Sequence, residues 1–246
     1  MTETLAIVLG VALLGAAAVL VKHHFWPMGP DEEPREDVAE YISMMVGVLY
    51  ALVLGLALVS VWDANSSAEE HVQAEAGAAH QVHLLADGLP AVQRERMKSG
   101  VEAYVRHVTD VEWPAMERGE LPDGHGWQLL SGLRSAGQVP EGATRAQQAT
   151  AQEMLVQLVL LDDARRGREA DADDGLPPVL WFGLIVGGVL TVAFMFMFGV
   201  QRSVSHVVMV MGLSGLIAFM VLLIHQLDAP FSGLLSVGAA PFTRHF

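Results

Sequence analysis

The sequence predicts an all-α membrane protein: four transmembrane helices, with a helical-bundle extramembrane domain inserted between helices 2 and 3. Three observations predict it. Of 246 residues, 52% are hydrophobic and only 17% are charged, where soluble domains carry about a quarter charged. The apolar residues gather into four stretches, 5–21, 41–62, 179–200 and 207–224, none of which contains Asp, Glu, Lys or Arg. The remaining long stretch, 63–176, carries apolar residues at spacings of three and four, the period of a helix face.

Each apolar stretch is 17 to 22 residues long, which at about 1.5 Å per residue matches a hydrocarbon core of about 30 Å. The first could be mistaken for a secretion signal because Ala16, Ala17 and Ala18 follow an apolar run. Met1-Thr2-Glu3-Thr4 supplies no basic flank, so it reads as a membrane helix. Residues 22–40 form a connector broken by Pro27, Gly29, Pro30 and Pro34 and rich in acids: Asp31, Glu32, Glu33, Glu36, Asp37 and Glu40. Pro34 suits the first turn of a helix, and acids there favour its positive end. The second helix therefore starts near Pro34. No proline follows until Pro90, so this helix is expected to leave the membrane and run on through Asp87, about 70 Å from Tyr41.

Its projecting half places Ala68, Val72, Ala76, Ala79 and Val82 on one face. Met97, Val101, Tyr104, Val108 and Val111 then repeat at 4, 3, 4, 3, a heptad seam. A third helix, within 143–168, lines up Ala151, Met154, Leu158 and Leu161. Breaks are expected at Trp113-Pro114, Pro122-Asp123-Gly124 and Val139-Pro140, with a short helix around 127–133. The resulting division is 1–62 for spans 1 and 2 with their connector, 63–176 for the helical domain, 177–226 for spans 3 and 4, and 227–246 for the C-terminal tail.

Several function classes fall away on composition. A net charge of −14 gives no basic face for nucleic acid. The absence of cysteine removes disulfides, thiol chemistry and thiolate metal sites. No nucleophile constellation, phosphate-binding loop or metalloprotease motif is present, so no enzyme and no cofactor are expected; Gly183, Gly187 and Gly188 lie inside a span and read as helix packing. No charge lies within a span, against a proton-coupled pump or a voltage sensor.

Particular residues resemble a known family, the bacterial bestrophin-like membrane proteins. The resemblance is carried by Glu112-Trp113-Pro114 with Met116 and Gly119, by Pro177-Pro178 with Trp181, and by Pro230-Phe231 with Gly233, and with the layout it spans residues 40–242. True bestrophins are related through layout alone: two helices, a helical domain, two helices and a Pro-Phe motif. They are pentameric anion channels with the second helix around the pore and with cytoplasmic domain and termini. The resemblance therefore implies a homo-oligomer, a pentamer by analogy, in the cell membrane, whose partners are the lipid bilayer and inorganic ions. Lys and Arg near the span ends, four on the domain side against three on the other, do not fix orientation independently. Residues 232–246 contain no acid, which departs from the calcium clasp of animal bestrophins.

If the second helix lines a pore, Ser43, Gly47, Tyr50, Leu54 and Ala57 form a stripe at 4, 3, 4, 3. The competing interpretation is close helix packing through Gly47, Ala51 and Gly55, with Tyr50 satisfied inside the subunit. A constriction of apolar side chains that gates by dewetting is compatible with either. Repeated around an oligomer, the connector acids from Asp31 to Glu40 would make a negative pore mouth; as a solvated loop they would do nothing specific. His80, His83 and Asp87 share one helical face and are the nearest approach to a metal site, as is His71 with Glu75, but no metal signature reinforces them. His206, His225, Trp26, Trp62 and Trp181 fall at span ends, as interfacial anchors do. The functional expectation is a bestrophin-like oligomeric channel that favours anions. The alternative is a non-conducting membrane signalling or scaffold protein whose helical domain senses or docks.

Overall fold

The structure, a computed structural model, describes residues 36–197, 204–233 and 235–244 together with parts of 6–21. For residues 36–40, 196–197 and 204–206 only the backbone is described. Among the described residues every regular element is helical. They are α1 (Glu36–Leu85), α2 (Ala91–His107), α3 (Trp113–Glu117), α4 (His125–Ala136), α5 (Arg145–Asp173), α6 (Pro178–Met197), α7 (Val204–Leu227) and α8 (Ala240–Thr243). A 3-10 turn, Ala86–Gly88, follows α1, and a π-helical turn, Val108–Glu112, joins α2 to α3.

Three helices are long and apolar enough to cross a membrane: Tyr41–Gly88, Pro178–Met195 and Val207–Leu227. The first predicted span lies largely outside the described residues, although those described between 6 and 21 are helical. The acids Asp31, Glu32 and Glu33 and the ring of Trp26 also lie outside them. Glu36, Asp37 and Glu40 fall in the opening turns of α1, with side chains undescribed. With 50 residues, α1 reaches about 75 Å.

The chain divides into two compact units. One comprises residues 1–62 and 176–226, the other 63–175 and 227–246. In the first, α6 presents Gly187 and Gly188 to the ring of Tyr50. A Cβ on Gly187 would stand 2.6 Å from Tyr50 Cδ2 and one on Gly188 2.9 Å from its hydroxyl, so only glycine permits this approach. Leu184, Val210 and Ile224 are buried here, and Trp181 sets its ring edge against His225 at 5.7 Å.

In the second unit the helix faces read from the sequence converge on one core. Ala68, Val72, Ala76, Ala79 and Val82 of α1 meet Met97, Val101 and Tyr104 of α2, Leu130 and Leu133 of α4, and Ala151, Met154, Leu158 and Leu161 of α5. α5 begins at a reciprocal capping box, with the Thr144 hydroxyl accepting from Gln147 N–H and the Gln147 side chain accepting from Thr144 N–H, which satisfies two otherwise orphaned donors. The C-terminal segment returns to this core through Phe231 and Phe242, whose rings meet Trp113 edge-on at 5.7 and 6.0 Å.

Two expectations are corrected. The chain does not break at Trp113-Pro114: it is helical from Ala91 to Glu117, and Pro114 sits in the first turn of α3, where a missing N–H costs nothing. The seam also does not continue to Val111, which is 49% exposed; Glu112 is buried in its place. The π turn holds one residue more than an α turn, so the inward face moves on by one position.

Candidate functional site

The helical domain buries a connected set of charges in its core. Glu75 comes from α1, Tyr104 from α2, Glu112 from the π turn, and Arg165 and Arg168 from successive turns of α5; all five are fully or almost fully buried. Arg165 grips Glu112 with two parallel hydrogen bonds, Nη1 to Oε2 at 3.0 Å and Nη2 to Oε1 at 2.6 Å. Arg168 grips Glu75, Nε to Oε2 at 2.5 Å and Nη2 to Oε1 at 3.0 Å, and also donates to Glu112 Oε2 at 2.8 Å. The Tyr104 hydroxyl donates to Glu75 and accepts from Arg165 Nη1. These are the planar bidentate pairs for which arginine is suited.

Aromatic rings close the set. The Arg165 guanidinium lies 5.1 Å from the Trp127 ring and 5.7 Å from that of Tyr104, and Arg168 lies 5.9 Å from Trp113. Trp127 Nε1 donates to Glu169 at 2.9 Å, and Glu169 pairs in turn with Arg165 at 2.8 Å. Gly126, in the first turn of α4, presses directly on the Arg165–Glu112 pair, leaving no room for a Cβ.

Burial alone would raise the Glu112 carboxyl, but hydrogen bonds and charge from Arg165 and Arg168 outweigh it and hold it below its usual value. Burial lowers the affinity of both guanidiniums for their protons, yet the Glu112 and Glu75 carboxylates more than reverse this. The Tyr104 hydroxyl is pushed well up, first by burial and then by the Glu75 charge. Glu112 is therefore ionised between two guanidinium ions, and the Tyr104 phenol stays neutral near neutral pH.

At the edge of this set His107, the last residue of α2, points Nε2 toward two carboxylates. It lies 3.4 Å from Glu112 Oε1 and 3.1 Å from Asp123 Oδ1. The backbone N–H of His125 holds the same Asp123 oxygen at 3.0 Å, and the His125 ring meets that of His107 edge-on at 4.8 Å.

The motif residues named from the sequence fall in three places. Glu112, Trp113 and Pro114 join the charged core, and Trp113 receives Phe231 from the Pro230-Phe231 motif. Pro230 O accepts from Val237 N–H at 2.8 Å, and Gly233 takes φ 91°, a left-handed conformation suited to glycine. Pro177 and Pro178 open α6, with Pro177 O accepting from Leu180 N–H, and Trp181 lies one turn later.

Of the stripe on the second helix, Tyr50 and Ala57 are buried within the protomer, and Ser43, Gly47, Tyr50 and Leu54 line a groove with Thr191 and Met195 of α6. A Cβ on Gly47 or Gly55 would meet nothing within 4 Å among the described residues. His80, His83 and Asp87 do not converge; Asp87 pairs with Lys98 at 2.7 Å. His71 and Glu75 also part, His71 turning to Asp171 at 2.6 Å. Among the described residues the metal-capable grouping is instead His107, Glu112 and Asp123.

Sequence alone offered Glu75 only as a partner of His71 and did not place Glu75, Arg165 and Arg168 in one buried ion-paired set. A signal was present. Glu75 falls at the heptad interval between Val72 and Ala79, and Arg165 and Arg168 extend the 154, 158, 161 seam at 4 and 3. Charges of opposite sign on seams that must be buried announce an ion-paired core.

A family model described as the bestrophin-like domain matches residues 9–242. The chain belongs to the bestrophin-like family. Its fold is that of a bacterial bestrophin homologue from Klebsiella pneumoniae, of which two single-mutant crystal structures match. One aligns with TM-score 0.71 at 16% identity over 98% of this chain and 96% of the other, the second with TM-score 0.62 at 16% identity over 99% and 95%. No curated protein matches this bestrophin-like chain in sequence. Family and apolar helices together make it a membrane protein.

Proposed function

We propose that this protein is a homo-oligomeric ion channel of the bestrophin type, a pentamer by family analogy, that conducts anions in preference to cations and carries out no enzymatic reaction. In this reading residues 5–21 supply a fourth span, the helical domain 63–176 is inserted between spans 2 and 3, and that domain and both termini are cytoplasmic. The supporting observation is the unused surface of α1 within the membrane. One face, centred on Tyr50 and Ala57, is covered by the subunit's own helices, while Met45, Val48, Leu52 and Val59 on the opposite side are exposed.

The span 41–62 carries no charge, and in a ring of subunits such a span keeps one face inside the subunit and turns the second apolar face to the axis, a face that lipid would cover in a protein that does not conduct. The ion path then runs along Val48, Leu52 and Val59. Apolar side chains at such a constriction gate by dewetting rather than by fixed charge. The absence of cysteine makes the test direct. Val48→Cys and Leu52→Cys channels should lose current on adding a water-soluble thiosulfonate reagent, and Tyr50→Cys should not. Block at Tyr50 alone would place the path along Ser43, Gly47, Tyr50, Leu54 and Ala57 instead. A protein that never conducts would leave the signalling or scaffold function.

A further inference from the structure

We propose that His107, Glu112 and Asp123 bind a divalent transition-metal ion of the zinc class, one per protomer, at the solvent edge of the buried charge set. Zinc takes imidazole and carboxylate ligands at about 2.0–2.2 Å in a tetrahedron, which separates neighbouring ligand atoms by about 3.4 Å. His107 Nε2 stands 3.1 Å from the Asp123 oxygen and 3.4 Å from the Glu112 oxygen, and all three ligand atoms lie within 4.8 Å of one another.

Three further observations point to a cation rather than a simple hydrogen bond. A neutral imidazole offers one N–H to one acceptor, yet two carboxylates converge on the same nitrogen. The connected set holds four carboxylates, Glu75, Glu112, Glu169 and Asp123, against two guanidiniums, Arg165 and Arg168. A divalent ion would make up that difference of two in the count of acidic and basic side chains. The ligands are also held as metal ligands are, by outer partners that fix their direction: Arg165 Nη2 donates to the Glu112 oxygen at 2.6 Å, and His125 N–H to the Asp123 oxygen at 3.0 Å.

The site has a route in from water, because the Asp123 side chain is 59% exposed while that of His107 is 10% and that of Glu112 fully covered. Three protein ligands leave the fourth position to water. One imidazole with two carboxylates and no thiolate suits zinc, and cobalt as its spectroscopic substitute, better than the all-oxygen magnesium sphere. The ion would tie the 118–124 loop to the end of α2 and the π turn.

The test is calorimetric titration of chelator-treated full-length protein in detergent with ZnCl2, paired with CoCl2 titration followed in the visible. Wild type should take up one zinc per protomer and give the intense bands of four-coordinate cobalt. His107→Ala and Asp123→Asn should each weaken zinc binding by at least about tenfold, no less than loss of an outer partner does. His80→Ala should leave binding unchanged. Asp123 is exposed, so its variant keeps the test open if His107→Ala fails to fold. No stoichiometric uptake by wild type overturns the site. So does full affinity in the His107 and Asp123 variants, or loss on changing His80 alone.

Discussion

Arg168 ends three of its donor contacts on carboxylates that are themselves buried. Removing one partner of a buried ion pair leaves the other charge unpaired, at a cost of about 3–5 kcal/mol. Arg168→Met should therefore lower the unfolding free energy by about that amount, read by denaturant titration of the purified protein. A loss below about 1 kcal/mol, the worth of a surface pair, would show that the charges are hydrated. Gly126 makes a second residue-scale prediction. Its Cβ would fall on the Arg165 guanidinium and the Glu112 carboxylate, so Gly126→Ala should depress the melting temperature, while Gly132→Ala, on the same helix with open space around it, should raise it slightly. Equal effects of the two alanines would remove the close approach of α4 from the account.

At the scale of elements, the π turn decides which side chains enter the core. Deleting Asp110, which is exposed, should convert Val108–Glu112 to ordinary α spacing while keeping Glu112 and Trp113 inward. Deleting Glu102, equally exposed but inside α2, should rotate Met97 and Val101 away from Tyr104 and Val108 and abolish the cooperative melt. Thermal unfolding of both deletions checks this, and equal damage would contradict it. Val101→Asp should likewise cost several kcal/mol, because the position is fully buried and an unpaired charge there loses its water; a wild-type melting curve would count against the seam.

These elements also show how far local rules carry. Period and spacing located the faces of α1, α2 and α5 because burying apolar side chains on a helix has a fixed geometry. They failed at Val111 because nothing in the residues 108–112 distinguishes a π turn from an α turn; the extra residue is absorbed by packing around Trp113. The ion-paired residues Glu75, Arg165 and Arg168 lay on visible seams, but their pairing depends on three helices meeting, which spacing along one chain does not encode. Glu112 was legible only as part of a motif, and His107 with Asp123 comes together only through the turn that follows α3.

At the scale of the whole molecule, the bestrophin-like family and fold give the chain its architecture, and the proposed channel rests on the unpartnered apolar face of α1 in the membrane. In the channel reading other copies of the chain cover that face, where lipid would cover it in a non-conducting protein. The most direct test is current across a planar bilayer containing the purified protein under a KCl gradient. An anion channel should give unitary steps whose reversal potential moves toward that of chloride. Reversal toward potassium would contradict anion preference and draw attention to the acids from Asp31 to Glu40. A bilayer that stays silent with assembled protein, across voltages and pH, would contradict the channel itself.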